Sequence, residues 1–215
     1  MNAFLLGATG LVGRHLLTFL LASDEYDCIV APVRRTTGCA SEKLNEIPFD
    51  PDRAENWTPA VDIDHAFIAF GTTKKRAGGI NAQREIDLHM PLKYVKRMRE
   101  IGVRHVSLCS SLGADWKSNN AYSAMKGQLE EDIRKMGFPS FATFRPSVLG
   151  GSRPDDERPL EEWAQRAMSW LPKSLRTIPA ERVAAAMVRT AGREPEGMRV
   201  IPSNKIWDFS APASK

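Results

Sequence analysis

Tyr122-Ser123-Ala124-Met125-Lys126 sets a phenol and an ammonium four residues apart. On a helix both side chains rise from one face. A phenol ordinarily keeps its proton to a pH of about 10, and a neighbouring positive charge favours the phenolate. Such a tyrosine can give a proton to a carbonyl being reduced, or take one from an alcohol. Ser110-Ser111 ends an apolar run shortly before the tyrosine. A hydroxyl there can hold the substrate oxygen and steady its developing charge. By itself Tyr-x-x-x-Lys also describes an ordinary half-exposed helix pair. Its place behind this strand and serine pair favours chemistry. Cys109, inside the apolar run, reads as a core residue and not a nucleophile.

The second constellation is Gly7-Ala8-Thr9-Gly10-Leu11-Val12-Gly13, between an apolar strand and an amphipathic helix. Gly7 permits a tight turn, Gly10 lets the backbone approach a pyrophosphate, and Gly13 lets the helix pack against the strand. The phosphates would sit at the helix N-terminus. A helix-opening turn with no ligand is the plainer alternative, but three glycines cost entropy without any packing return. The next strand ends Pro32-Val33-Arg34-Arg35, where an NAD site usually has an acid for the ribose 2′-hydroxyl. Two guanidiniums suit a 2′-phosphate instead. The expected cofactor is therefore NADP(H), with NAD(H) second, and Arg34 is favoured over Arg35 for the phosphate. Gly71-Thr72-Thr73 would bring small residues close to the cofactor, with Lys74 adding charge. A bound nicotinamide would add positive charge beside Tyr122, and Lys126 could hydrogen-bond its ribose.

These residues need a scaffold, and the chain supplies one. Its 215 residues suit a single domain, and a 42% hydrophobic content affords a core. Thirty Lys+Arg against 26 Asp+Glu leave a net charge of +4, with no long basic run; Lys74-Lys75-Arg76 is the densest cluster. Neither nucleic-acid nor membrane binding is expected. No apolar stretch approaches the roughly 18 residues of a bilayer span. No basic region precedes Ala3-Phe4-Leu5-Leu6, so no signal peptide is expected. Three widely spaced cysteines, Cys28, Cys39 and Cys109, suggest a reducing compartment and a cytoplasmic location. His15, His65, His89 and His105 are scattered, and no metal site is expected.

Short apolar runs alternate with amphipathic stretches. Strands are expected at Asn2–Leu6, Cys28–Val33, Leu44–Phe49, His65–Phe70, Val103–Cys109 and Phe141–Phe144. Helices are expected at Leu11–Ala22, Asn81–Ile101 and Ala121–Met136, the last opened by Ser118-Asn119-Asn120 and closed by Gly137. The alternation predicts an α/β fold with a doubly wound parallel sheet. Residues 151–215 read as a short C-terminal helical cap for substrate within the single 1–215 domain. It comprises a loop at Gly150–Pro159, helices at Leu160–Leu171 and Ala180–Thr190, and a last strand at Met198–Ile201.

The glycine turn, Ser110-Ser111 and Tyr122-x-x-x-Lys126 resemble the short-chain dehydrogenase/reductase superfamily, in its atypical or extended branch. Ser110–Asp115, Ser118–Asn120, Tyr122, Lys126-Gly127 and Phe144-Arg145-Pro146 are most similar to the Tat-interacting oxidoreductase-like group, often labelled NAD(P)H-binding or epimerase. The resemblance covers essentially the whole chain, is strongest up to residue 151, and implies a Rossmann fold. It implies Ser111, Tyr122 and Lys126 as the catalytic trio, with Ser110 the fallback. It also lays Arg145, Pro146 and Val148 against the nicotinamide. Many superfamily members complete a tetrad with an Asn on the fourth helix; here the polar residue nearby is Asp87.

The resulting expectation is an NADP(H)-dependent oxidoreductase acting on a carbonyl or alcohol of a small molecule. The alternative is an NADPH-binding redox sensor with little turnover. A sugar-nucleotide epimerase is disfavoured, because the segment after the sheet is short. Trp116, Trp163, Met168 and Trp170 are pocket candidates that suit core packing better. Lys74-Lys75-Arg76 and Arg84 could meet an acidic substrate tail. Ile86, Met90, Tyr94 and Met98, with Met125, Leu129 and Ile133, could form a homodimer seam or intrachain core.

Overall fold

The computed structural model describes residues 1–150 and 176–209. Seven parallel strands form its central sheet: β1 (Asn2–Leu6), β2 (Cys28–Val33), β3 (Leu44–Pro48), β4 (His65–Ile68), β5 (His105–Cys109), β6 (Ser140–Arg145) and β9 (Gly197–Pro202). A separate parallel pair joins β7 (Leu149–Gly150) to β8 (Ile178–Pro179). The order across the main sheet is β3-β2-β1-β4-β5-β6-β9. The chain therefore winds outward both ways from the β1/β4 boundary, the doubly wound α/β arrangement expected. That boundary is where such sheets open a crevice at the carboxyl ends of their strands.

Alternation along each strand divides the core in two. Ala3, Leu5, Ile29, Ala31, Phe67 and Phe144 face helices α1 (Gly13–Ala22) and, late in the chain, Ala180–Ala191. Phe4, Leu6, Val30, Ala66, Ile68 and Val106 face Met90–Glu100 and Ala121–Lys135. In chain order the helices after α1 are α2 (Lys74–Ala77), α3 (Ile80–Arg84), α4 (Met90–Glu100), α5 (Ala121–Lys135), α6 (Ala180–Ala191) and α7 (Ser203–Ile206). Tyr94, Met98, Met125, Leu129 and Ile133 are buried within the chain and pack in its core, while Ile86 and Met90 are half-buried.

Three differences from the sequence reading have physical causes. Helix α1 starts at Gly13 and not Leu11, because the turn closed by Gly10 N–H on the Gly7 carbonyl runs on through Leu11 and Val12, with Val12 as the N-cap. The helix expected over Asn81–Ile101 is interrupted by a π-turn, Glu85–His89, between α3 and α4. Part of the expected cap belongs to the body: α6 packs on α1 and β9 pairs with β6. The helix expected at Leu160–Leu171 lies outside the described residues.

Parallel register sets His65 opposite His105, forty residues on. Their rings meet edge to face at the opposite end of the strands from the glycine turn. His65 Nδ1 lies 2.7 Å from the Tyr26 hydroxyl and Nε2 2.8 Å from Glu194 Oε1. His105 Nδ1 lies 2.7 Å from Ser140 Oγ, which donates to the Pro195 carbonyl, so the imidazole must donate there. Its Nε2 then accepts from Ser107 Oγ at 2.8 Å. Burial, helped by His65, pushes His105 down to about 3 from 6.5. The unfolded chain accepts this proton near pH 6.5, whereas the fold resists it until about pH 3. Its contribution to stability is thus complete above pH 6.5 and is lost as pH falls, by at most about 1.4 kcal/mol per pH unit. Urea unfolding between neutrality and pH 4 checks this. His105→Gln should flatten the slope; an equal slope in both proteins would assign the acid loss to carboxylates.

Candidate functional site

Gly7 adopts φ +98°, and a Cβ there would come 2.5 Å from the Ala69 carbonyl oxygen. Its own carbonyl accepts from Gly10 N–H at 2.8 Å, closing the turn. A Cβ on Gly13 would overlap that same carbonyl, so α1 lies directly on the turn. Ala8 is buried and Thr9 is exposed. With both sterically demanding positions taken by glycine, the backbone of Gly10, Leu11 and Val12 stands at the wall of a cleft of about 500 Å³.

The cleft opens at the carboxyl ends of β1, β4, β5 and β6. Beyond the glycine turn it is lined by Phe70–Thr73 after β4, Cys109–Leu112 after β5, and Pro146–Leu149 after β6. Helix α5 adds Tyr122 and Lys126, and the π-turn adds Asp87. The cleft thus gathers Gly10, Leu11, Val12, Gly71, Thr72, Thr73, Ser111, Tyr122, Lys126, Pro146 and Val148 from the expected site.

Local sequence explains how α5 presents its pair. Asn120 caps the helix, its Oδ1 accepting from Tyr122 N–H and Ser123 N–H at 3.0 Å each. Tyr122 is therefore held in the first turn, 37% exposed at the cleft, with Lys126 one turn below and almost buried. The ammonium sits 5.9 Å from the tyrosine ring centroid. A Cβ on Gly127 would overlap the Asp115–Trp116 backbone, so glycine lets α5 lie against the segment leading from the serine pair.

Ser110 and Ser111 occupy the cleft differently. Ser111 is half-buried, with one weak contact to the Leu112 carbonyl at 3.4 Å. Ser110 Oγ is buried and has no partner among the described residues, which suits it to a ligand oxygen. Burial pushes the neighbouring Cys109 thiol up to about 11, which keeps it protonated and makes it a poor nucleophile.

Arg145 does not join the lining. Glu130 of α5 grips its guanidinium, with Nη2 at 2.6 Å and Nε at 3.1 Å from the carboxylate. Arg34 and Arg35 follow β2 as exposed residues. They leave the sheet at the edge where β1 enters the glycine turn, since the two strands run parallel. Lys74, Lys75 and Arg76 are exposed in α2, whose N-cap is Thr73. Trp116 is 52% exposed and Lys117 lies over its ring. Trp163, Met168 and Trp170 lie outside the described residues.

Asp87 lines the cleft, and the sequence did not reveal its partner. Its Oδ2 pairs with Lys126 Nζ at 3.1 Å, both side chains being buried. Gln83 and Ser203 were missed altogether. Gln83 binds the Thr72 carbonyl, and Ser203 Oγ accepts from Ser147 N–H in the loop after β6. Neither had a local signal, since each serves a distant element.

Comparison with known proteins agrees with this architecture. The NAD(P)H-binding family model matches residues 7–194. The protein Fmp52 of Aspergillus niger, named mitochondrial, is 38% identical over 172 residues, covering 74% of this chain and 71% of its own. Fmp52-1 of Aspergillus terreus, also named mitochondrial, is 32% identical over 217 residues, covering 94% and 92%. These names overturn the cytoplasmic location expected from cysteine count and composition, which carry no compartment address of their own. Among solved structures, WbmH from Bordetella bronchiseptica in complex with NAD+ superposes with a TM-score of 0.71 at 17% identity, covering 94% of this chain and 75% of that one. An oxidoreductase of the short-chain dehydrogenase/reductase family from Burkholderia thailandensis gives 0.63 at 18% identity, covering 94% and 90%. At such identities the likeness is one of fold.

Proposed function

The chain belongs to the NAD(P)H-binding family, and from that premise we propose that it is an oxidoreductase of short-chain dehydrogenase type, using NADP(H) to interconvert a carbonyl and an alcohol of a small molecule. The observation that carries this reading is the meeting of Tyr122, Lys126 and the serine pair in the cleft walled by the glycine turn. A binding role alone has no need of a positioned proton donor.

The residues fit a dinucleotide. The turn is cleared of side chains at Gly7 and Gly13, where a Cβ would strike backbone, so a pyrophosphate can approach the start of α1. Gly71, Thr72, Thr73, Pro146 and Val148 line the rest of the path. The nicotinamide supplies or accepts the hydride when bound. Tyr122 gives its hydroxyl proton to the carbonyl oxygen during reduction and takes one back from the alcohol during oxidation. Ser111 Oγ holds that oxygen, with Ser110 Oγ as the second candidate. Lys126 stands behind the tyrosine as the fixed positive charge. Arg34, then Arg35, would clamp the 2′-phosphate.

The test is turnover of an aldehyde and ketone panel with NADPH and with NADH, followed at the nicotinamide absorbance. NADPH should be the better cofactor. Arg34→Ala should lower kcat/KM for NADPH by about 10- to 100-fold and leave NADH nearly unchanged. Equal loss with both would remove the 2′-phosphate role. No turnover across the panel would remove the oxidoreductase reading in favour of cofactor sensing.

A further inference from the structure

Among the described residues five large hydrophobic side chains are exposed, and three of them, Leu112, Tyr122 and Val148, line the cleft. Leu112 is 42% exposed and Val148 65%. Their backbones are pinned. Leu112 N–H donates to the Pro146 carbonyl at 2.8 Å, and the Val148 carbonyl accepts from Ile178 N–H at 2.8 Å. Apolar side chains gathered in one cleft and held there in water mark a surface built for an apolar ligand. The charges point the same way. Among the described residues the charged side chains that line the cleft are Lys126 and Asp87, paired at 3.1 Å and both buried. Its other polar side chains carry hydroxyls, apart from the Cys109 thiol. Arg145 is turned to Glu130. Lys74, Lys75, Arg76 and Arg84, the expected readers of an acidic tail, lie outside the lining. A carboxylate or phosphate beside the reacting carbon would lose its water and gain no counter-charge from these residues.

We propose that the substrate is an uncharged aldehyde or ketone, or the matching alcohol, whose alkyl or aryl body lies on Leu112 and Val148. The proposal rests on the oxidoreductase reading. Ser110 and Ser111 directly precede Leu112, so the hydroxyls that can hold the carbonyl oxygen are next in the chain to the apolar wall. The bond from Leu112 to Pro146 joins that wall to the loop after β6, which carries Val148. A molecule with one polar atom fits this division. Its oxygen meets the hydroxyls, and its carbon body takes water off the two apolar side chains. Leu112 is the specificity-determining residue, because Val148 also borders the cofactor path.

The experiment sets unbranched aldehydes from propanal to octanal against the same chains ending in a carboxylate, each reduced by NADPH. In the parent protein kcat/KM should rise about two- to fourfold per methylene along the neutral series. Each carboxylate should fall at least about tenfold below its neutral match. Leu112→Asn should shrink the octanal-to-propanal ratio of kcat/KM at least about fivefold. Leu112→Lys should raise the carboxylates relative to their neutral matches at least about threefold. A flat neutral series, carboxylates as good as their matches, or the parental ratio in Leu112→Asn would overturn the proposal. Binding gives a readout without turnover. With NADPH bound, an alcohol cannot exchange a hydride, since both partners are already reduced. The methyl carbon resonances of Leu112 and Val148 should then move on titration with hexanol and stay in place with the matching hydroxy acid. A parent protein without turnover would remove the oxidoreductase reading and leave this titration to decide. Movement with hexanol alone would keep the apolar wall, and no movement, or equal movement with both, would overturn it.

Discussion

Replacing Tyr122 with phenylalanine is expected to lower kcat by about 100- to 10,000-fold, the range for losing a positioned general acid. The substitution removes one oxygen and keeps the ring. The cap that holds the first turn of α5 uses backbone N–H groups of residues 122 and 123, which phenylalanine preserves. Tyr122 is 37% exposed, so its loss opens no core cavity. The Kd for NADPH should therefore stay within about threefold, and the thermal midpoint should hardly move. Loss confined to KM would assign the hydroxyl to uniform substrate binding. Activity near that of the parent would take proton transfer away from Tyr122.

The parts of this site that were legible share one property: each is a local arrangement. Gly7, Gly10 and Gly13 sit in one turn between a strand and a helix, and the overlaps there show why side chains are excluded. Tyr122 and Lys126 are one helical turn apart, and Asn120 marks where that turn begins. What escaped is set by distant partners. Arg145 stands at the expected place, but Glu130 on another element decides where its guanidinium points. The His65–His105 contact follows from strand register, which neither residue's neighbours encode. The π-turn leaves the apolar spacing of α4 intact, so periodicity reads through it as one helix. The return of α6 and β9 to the body depends on β6 having a free edge, a property of the whole sheet.

Among the glycines of the described residues, Gly13→Ala should be the most damaging change to alanine. The added Cβ would overlap the Gly7 carbonyl oxygen, and that atom cannot swing aside as a side chain would. It is the acceptor for Gly10 N–H, so moving it opens the turn. The alternative is to lift α1 from the sheet, which would part Leu16, Leu17 and Leu20 from Val183 and Met187. Overpacking of this kind costs about 1–3 kcal/mol, and rigid neighbours place it at the upper end. At about 2–4 °C per kcal/mol for a domain of this size, the midpoint should fall by about 5–10 °C. Cofactor affinity should suffer more, by at least about 100-fold, because either movement displaces the backbone that the pyrophosphate approaches. Gly102→Ala separates the two effects. Gly102 has φ +84° with open space around it, at the end of α4 away from the cleft. Alanine there costs about 1–2 kcal/mol of backbone strain and should leave NADPH binding as it was. If Gly13→Ala lost no more affinity than Gly102→Ala, the glycine turn would be a packing device and the phosphate would bind elsewhere.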